Sequence, residues 1–222
     1  MIIILMGAPG SGKGTQGQTL CRQQGWEYIA TGNLLRSQIN EGTALGKKLE
    51  SIMSEGGFPS DDIIMDVFKT ELSKRADKPL LLDGIPRTLN QAKLLEQLFS
   101  DLGQSVEVVI EFKLDDAILL ERILGRYTCK NCCATYHTKF NPTKKEGVCD
   151  FCGGHEFVTR KDDQEDVLKK RLELYYLETL PILEYYNSKG VVHSIDASLS
   201  PEKVGEDILT ILKNKTNNCP RQ

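Results

Sequence analysis

The sequence lacks long apolar runs and a large excess of charge of one sign. Its opening apolar run, Ile2–Met6, has five residues, far fewer than the ~20 of a membrane span. No positively charged segment precedes that run, as one would in a secretory signal. The net charge of −3 over 222 residues gives no overall attraction to nucleic acid or to an anionic membrane. We therefore expect a cytoplasmic protein with no nucleic-acid or membrane partner, with an organelle matrix as the alternative if a transit peptide has been removed. We also expect it to act as a monomer.

Apolar runs alternate with amphipathic segments along the chain. The composition, 40% hydrophobic and 27% charged, is typical of a soluble globular protein. The predicted strands are Ile2–Met6, Glu27–Ala30, 79–83, 106–112 and 191–195. The predicted helices are 15–24, a helical piece within 31–59 that Thr31 caps, 60–72 with Ser60 as its cap, 90–99, 115–126, 164–189 with a bend at Pro181, and 201–213, before a frayed tail. The pattern predicts an α/β fold of three layers: an open, parallel, five-stranded sheet with helices on both faces.

A glycine-rich segment joins the first predicted strand to the first predicted helix. Residues 7–13 read Gly-Ala-Pro-Gly-Ser-Gly-Lys, which matches G-x-x-x-x-G-K in the context that a phosphate-binding loop requires. The backbone N–H groups from Gly10 to Thr15 are expected to surround phosphate oxygens, and Lys13 adds a full charge. The alternative is a glycine-rich turn before an ordinary helix. By itself, the motif indicates a nucleoside triphosphate site.

Three further segments match one family. The loop GAPGSGKGT, ATGNLLR at 30–36, DGIPRT at 83–88 and TRKDDQEDVLKKRL at 159–172 together resemble the adenylate kinases over nearly the whole chain. The resemblance implies reversible phosphoryl transfer from MgATP to AMP, giving two ADP. It also implies a core (1–29, 60–125 and 164–222), an AMP-binding insert (30–59) and a zinc-binding lid (126–163). Asn33, Ile85 and Pro59 depart from the family pattern.

The resemblance also assigns roles to individual residues. The catalytic residues it implies are Lys13, Arg87, Arg126, Arg160 and Arg171. Those implied for ATP are Gly10, Ser11, Gly12, Lys13, Gly14, Thr15, Arg122, Arg126, Thr135, Tyr136, His137 and Leu199. Those implied for AMP are Thr31, Arg36, Gly57, Phe58, Pro59, Gly84, Arg87, Gln91, Arg160 and Arg171. The spacing of Arg122 and Arg126 predicts one helix face for both, and Gln91 has core packing as an alternative role.

The reaction makes small demands on acid–base chemistry. An AMP phosphate has a second pKa of about 6 and is largely a dianion at neutral pH, so we expect no general base. Asp83 ends an apolar strand, where its carboxylate would reach Mg²⁺ through water or would instead cap the turn that follows. Asp162 and Asp163 are expected to fasten the closed lid or to orient Arg160.

The cysteines point to a metal. Cys129 and Cys132 form one C-x2-C pair, and Cys149 and Cys152 form a second, sixteen residues later. This spacing predicts a closed tetrahedral zinc site that stabilises a segment too small for a core of its own. A disulfide is the alternative. Cys21, Cys133 and Cys219 lie outside the pattern, and His155 is the nearby competing ligand.

Two other functions remain open from the sequence. The same fold serves kinases that use GTP as donor or another nucleoside monophosphate as acceptor. A zinc ribbon joined to a nucleotide switch, without enzymatic activity, is a second possibility.

Overall fold

The computed structural model of the protein describes residues 1–75 and 78–217. The described residues form eight strands: β1 Ile2–Met6, β2 Glu27–Ala30, β3 Leu80–Asp83, β4 Val106–Lys113, β5 Arg126–Cys129, β6 Thr135–His137, β7 Phe157–Val158 and β8 Val192–Asp196. They also form nine α-helices: α1 Lys13–Gln24, α2 Thr31–Asn40, α3 Ala44–Ser54, α4 Asp61–Leu72, α5 Leu89–Asp101, α6 Asp116–Leu124, α7 Glu165–Leu174, α8 Leu180–Asn187 and α9 Pro201–Asn217. Within these ranges, no helix is both long and apolar enough to cross a bilayer. Cys219 and the end of the predicted tail lie outside the described residues.

Five strands form the main sheet, in the order β2-β3-β1-β4-β8, and all their pairings are parallel. The predicted five-stranded parallel sheet is therefore confirmed. Its central strand, β1, is buried along its whole length, which accounts for a continuous apolar run rather than an alternating one.

Two apolar clusters cover the two faces of the sheet. Because successive side chains of a strand point to opposite faces, Ile4 packs with Phe68 of α4 and Phe99 of α5. Ile3 packs on the other face with Leu20 of α1 and Ile208 of α9. The three-layer arrangement leaves the carboxyl ends of β1, β2 and β3 free to carry a site.

Two smaller parts are built beside the sheet. Helices α2 and α3 lie within the predicted insert, residues 30–59. Strands β6, β5 and β7 form a separate antiparallel sheet in that order, within the predicted lid.

One predicted helix feature is wrong. Helix α6 ends at Leu124, and Arg126 begins β5, so Arg122 and Arg126 do not share a helix face. The chain leaves the helix at Gly125, where a Cβ would lie 2.4 Å from the His137 ring. The helix predicted at 164–189 is divided by a π-helical turn at Tyr175–Thr179, and Pro181 lies in the first turn of α8 directly after it.

Neither predicted cap uses its side chain to hold its helix. Thr31 is the first residue of α2, and its hydroxyl donates to the carbonyl of Gly84 at 2.7 Å. Ser60 precedes α4 as predicted, but its side chain makes no cap hydrogen bond.

Candidate active site

One cleft of about 600 Å³ opens at the carboxyl ends of the central parallel strands. This edge of an open α/β sheet is where ligands of such folds bind. Every residue predicted above to bind ATP or AMP lines the cleft, as does Asp83. The fold therefore brings into one place residues that are far apart in the sequence.

The glycine-rich loop forms one wall of the cleft. Gly10 and Gly12 have φ of +86° and +94°, which side chains rarely adopt. A Cβ on Gly10 would also lie 2.9 Å from the Ile123 side chain. Gly12 precedes α1 without a side-chain cap, so the first N–H groups of the helix remain open to an anion.

Lys13 lies across the mouth of this loop. Its Nζ donates to the carbonyls of Gly7 at 2.6 Å and Ala8 at 2.8 Å, and to Ser11 Oγ at 3.1 Å. The pKa of Lys13 is lowered to about 8, chiefly by burial; the charge of Asp83 opposes the shift and those of nearby arginines contribute to it. The loop is thus a cradle of donors with a poorly solvated cation inside it.

Five arginines converge beside the loop: Arg36, Arg87, Arg126, Arg160 and Arg171. Among the described residues, carboxylates pair with only two of them. Arg126 makes a two-pronged pair with Asp163, in which Nε donates to Oδ2 at 2.8 Å. Arg171 NH1 lies 2.8 Å from Asp162 Oδ2. The cluster therefore carries excess positive charge.

Arg160 has no carboxylate partner within the described ranges. Its guanidinium instead donates to the hydroxyls of Thr128 and Thr135, each at 3.2 Å. Asp162 and Asp163 pair with other arginines, so their expected role in orienting Arg160 is wrong. The threonines of the small sheet hold this side chain over the cleft.

The crowding of like charges is visible in the pKa values. Burial, followed by the charges of Arg126 and Arg36, lowers the pKa of Arg160 well below its ordinary value. Burial also lowers the pKa of Arg171 to about 10, against the opposing charge of Asp162. Such depressed values indicate a region that gains stability when an anion enters.

The DGIPRT segment and the predicted insert form the far end of the cleft. Arg87 Nε donates to the carbonyl of Gly84 at 3.0 Å, and its guanidinium lies 4.8 Å from the Phe58 ring centroid. Arg36 NH2 donates to Asn33 Oδ1 at 2.9 Å. Neither guanidinium has a carboxylate partner in the described part of the chain, so both are available to a phosphate.

Gln91 faces this end of the cleft and already has two partners. Its Oε1 accepts from the Arg87 backbone N–H at 2.8 Å, and its Nε2 donates to Asp61 Oδ1 at 2.8 Å. The side chain is only 1% exposed. No sequence pattern predicted a role for Asp61 at the site; it joins this network because α4 and α5 meet here.

Asp83 also has a partner that the sequence did not indicate. The Tyr28 hydroxyl donates to Asp83 Oδ2 at 2.8 Å. Asp83 Oδ1 has no hydrogen-bond partner among the described residues. One carboxylate oxygen at the cleft therefore remains available for Mg²⁺-bound water, as the chemistry of an oxygen ligand requires.

The other predicted ATP residues lie in α6, in the lid and in the segment between β8 and α9. Arg122 of α6 and Leu199 of that last segment line the cleft. His137 Nδ1 accepts from the backbone N–H of Lys139 at 2.9 Å, and Nε2 lies 3.1 Å from the Glu121 carbonyl. This bonding uses both ring nitrogens, which fits a structural role rather than proton transfer.

Tyr136 points away from the cleft. Its side chain is buried in the small sheet, and its hydroxyl accepts from Asp150 N at 2.8 Å and contacts Cys149 Sγ at 3.3 Å. Although the residue lines the cleft, its aromatic ring supports the cysteines.

The four predicted ligand cysteines meet in what we call the cysteine knuckle, Cys129, Cys132, Cys149 and Cys152. Their sulfurs all lie within 4.8 Å of one another, and two cross-pairs lie at 3.5 and 3.6 Å. Zn–S bonds of ~2.3 Å give tetrahedral S···S edges of about 3.8 Å, so the donor set fits zinc. All four are free thiols rather than disulfides. His155 is not part of the group; its Nδ1 lies 3.1 Å from the Gly147 carbonyl.

Local bonding prepares one of these thiols for a metal. Burial raises the pKa of Cys149, but the Tyr136 hydroxyl and the N–H groups of Phe151 and Cys152 outweigh it, so the net shift is downward. Cys133, just outside the set, has φ of +58°, a conformation that glycine adopts at less cost.

Comparisons with known proteins agree with this geometry. The adenylate kinase family model matches residues 5–191. The chain is 43% identical over 213 residues to an adenylate kinase of Geobacillus sp., an alignment that covers 96% of this chain and 98% of the relative. It is 40% identical over 213 residues to that of Enterococcus faecalis, covering 96% and 99%. It is 42% identical over 217 residues to that of Rhizobium rhizogenes, covering 96% and 99%. With nearly the whole chain aligned, this protein belongs to the adenylate kinase family of enzymes.

Proposed function

We propose that the chain transfers the terminal phosphoryl group of MgATP to AMP, giving two ADP, and that it also catalyses the reverse reaction. The observation that carries the proposal is that one cleft has a phosphate-binding group at each end. The phosphate loop with Lys13 lies at one end, and Arg36 and Arg87, which have no carboxylate partner among the described residues, lie at the other. Arg126, Arg160 and Arg171 lie between them. Two phosphorylated nucleotides fit this arrangement better than one.

The proposed mechanism is in-line transfer stabilised by charge. The loop N–H groups and Lys13 would hold the β- and γ-phosphates, while Arg36 and Arg87 would hold the AMP phosphate. Arg160 and Arg171, whose pKa values are lowered first by burial and also by the charge of Arg126, would bind the oxygens of the transferring group. A buried, preorganised cluster of this kind needs little reorganisation as charge shifts in the transition state. The acceptor oxygen is already anionic, so no residue has to remove a proton.

Two metals are proposed, in different roles. Mg²⁺ would neutralise charge on the ATP phosphates, with Asp83 Oδ1 accepting a hydrogen bond from one of its waters. Zinc held by the four cysteines would be structural, because four thiolates leave no coordination position for substrate. The short S···S distances and the absence of nearby competing ligands in the described residues support this role.

The proposed division of labour follows the predicted domains. Residues 30–59 would bind AMP, residues 126–163 would close over ATP, and the remaining residues would form the core. Residues of a single chain line both ends of the cleft, which supports action as a monomer. We also propose a cytoplasmic enzyme without nucleic-acid or membrane partners, in keeping with its net charge of −3.

The test is a panel of donors and acceptors. ATP and GTP are each paired with AMP, CMP, UMP and GMP, and product nucleoside diphosphates are quantified. We expect ATP with AMP to give the highest kcat/KM and Lys13→Met to reduce it by at least about a hundredfold. Equal turnover with several acceptors, or near-normal activity of the variant with unchanged folding, would refute the proposal.

A further inference from the structure

Gln91 of the cleft wall is hydrogen-bonded to a carboxylate, Asp61, for which no role has been given so far. We propose that Asp61 is a specificity-determining positioning residue, which fixes the Gln91 amide in the orientation that reads a 6-aminopurine and rejects a 6-oxopurine. The inference rests on the proposed function, and it adds that Gln91, which lines the cleft at its acceptor end, faces the base of AMP. Asp61 itself does not line the cleft and acts through Gln91.

The orientation of the amide follows from its two partners. A carboxylate oxygen only accepts, so Asp61 Oδ1 at 2.8 Å requires the NH2 end of Gln91. A backbone N–H only donates, so Arg87 N at 2.8 Å requires the carbonyl end. Turning the amide over would place Gln91 Oε1 against the Asp61 carboxylate, which are both acceptors. It would also place Gln91 Nε2 against the Arg87 N–H, which are both donors. The flipped state is therefore strongly disfavoured.

The fixed amide still has capacity for a ligand. A glutamine amide offers two N–H donors and two acceptor lone pairs, and these contacts use one of each. The second N–H and the second lone pair remain for a ligand, and the bonds to Asp61 and Arg87 decide which side of the amide donates and which side accepts. Gln91 lies at the cleft wall, almost fully shielded from water, so a base edge that fails to match it leaves buried polar groups unpaired.

Adenine and hypoxanthine reverse the order of donor and acceptor on this edge. Adenine presents an N6 amino donor beside an N1 acceptor, whereas hypoxanthine presents an O6 acceptor beside an N1–H donor. A freely turning amide can satisfy either edge by rotating about its last torsion. An amide held in one sense satisfies only one, and sites built on such bonds discriminate strongly between analogues.

Asp61 is well placed to hold this position. It is the first residue of α4, directly after the insert, and it receives further bonds from the start of α5. Thr88 Oγ1 lies 3.2 Å from both carboxylate oxygens, and Asn90 Nδ2 donates to Oδ2 at 2.7 Å. These bonds fix the carboxylate, which in turn orients the Gln91 amide.

The experiment compares AMP with IMP, which has a 6-oxo group in place of the 6-amino group and a proton on N1, and is otherwise identical to AMP. Asp61→Asn gives Gln91 a neighbour that can donate, so one of the two contacts that oppose the flipped amide is lost, while the Arg87 backbone N–H still favours the original orientation. We expect the ratio of kcat/KM for AMP to that for IMP to fall about tenfold or more. The KM for ATP should change by less than about twofold, because the change acts at the acceptor end.

Asn90→Ala is the matched control. It removes one bond to Asp61 and leaves Asp61 Oδ1 and Gln91 in contact, so the AMP/IMP ratio should stay within about twofold of the starting value. Asp61→Ala provides a second test if Asp61→Asn folds poorly, since it removes the acceptor without adding a donor. An unchanged ratio in a folded Asp61 variant overturns the inference, as does an equal loss in Asn90→Ala.

Gln91→Ala separates this inference from the function on which it rests. If it removes the AMP/IMP preference while a folded Asp61 variant retains it, then Gln91 reads the base and the inference about Asp61 is wrong. If Gln91→Ala leaves the preference intact, the proposed role of Gln91 fails, and the inference fails with it. If the wild-type protein makes no ADP from ATP and AMP, the proposed function itself is wrong.

Discussion

Lys13 is the group whose protonation should respond most to nucleotide binding. Its pKa is lowered from 10.5 to about 8, mainly by burial. The charges of Arg87, Arg171 and Arg126 contribute to this lowering, while the charge of Asp83 opposes it. A shift of this size disfavours the charged form by roughly 3 kcal/mol. A bound triphosphate places negative charge beside the ammonium group and should return most of that free energy.

The expected consequence is proton uptake on binding. At pH 8, a group with a pKa of about 8 is half protonated, so MgATP binding should take up about half a proton per protein. Uptake should approach zero below pH 7 and nearly one proton at pH 9, where ATP itself is fully ionised. Calorimetric titration in two buffers with different ionisation enthalpies measures this number directly.

The lowered pKa of Lys13 should also affect how the free energy of unfolding depends on pH. The unfolded chain binds more protons than the folded chain wherever the pH lies between the two pKa values of Lys13. This residue therefore makes the free energy of unfolding rise with pH between about 8 and 10.5 in the ligand-free protein. Lys13→Met should lose both effects. Equal binding enthalpies in the two buffers at pH 8, or undiminished uptake by the variant, would refute the reasoning.

Three other substitutions test separate contacts. Cys129→Ser should lower the zinc content and the melting temperature, and should change kcat less at low temperature than near the melting point. Asp163→Asn removes the carboxylate that pairs with Arg126, and both side chains are buried, Asp163 at 1% and Arg126 at 13% exposed. Because a buried charge then loses its partner, the free energy of unfolding measured in urea should fall by about 3–5 kcal/mol. Tyr28→Phe releases Asp83 and should raise the Mg²⁺ concentration for half-maximal activity by about tenfold at unchanged melting temperature.

Each of these substitutions has an internal comparison. His155→Ala should leave the zinc content at the wild-type value, because this histidine bonds to a loop carbonyl instead; equal zinc loss would contradict the ligand assignment. Lys130→Ala breaks the exposed pair with Glu156 and should cost less than about 1 kcal/mol. Tyr28→His offers another donor and should recover part of the Mg²⁺ response. A response in Tyr28→Phe identical to wild type would show that the hydroxyl does not position Asp83.

Much of the fold could be predicted because its signals are local. The apolar runs of β1 and β3 and the glycine-rich loop each identify themselves within a few residues. The cysteine spacing does the same for the knuckle. Six of the ten predicted ends of the main-sheet strands coincide with the observed ones and the other four differ by one residue, because a buried parallel strand is a short run with clear polar boundaries.

The contacts that could not be predicted depend on tertiary neighbours. Helix α6 ends at Leu124, and the His137 ring lies so close to Gly125 that a side chain there would clash with it; residues 115–126 alone do not indicate that contact. Likewise, the partner of Gln91 comes from α4, thirty residues away in the sequence. Family resemblance located the cleft residues, but it did not indicate which polar groups already bind one another.

The separation of the two sheets has a consequence for how the molecule opens. The strands β6, β5 and β7 share no hydrogen-bonded neighbour with the main sheet, and two of the four buried residues in their apolar cluster are cysteines. With the proposed zinc bound, we expect the amide protons of β5 to exchange with solvent through a local opening whose free energy depends on the metal, while those of β1 require global unfolding. Zinc availability would then act on the stability of the small sheet more than on that of the main sheet.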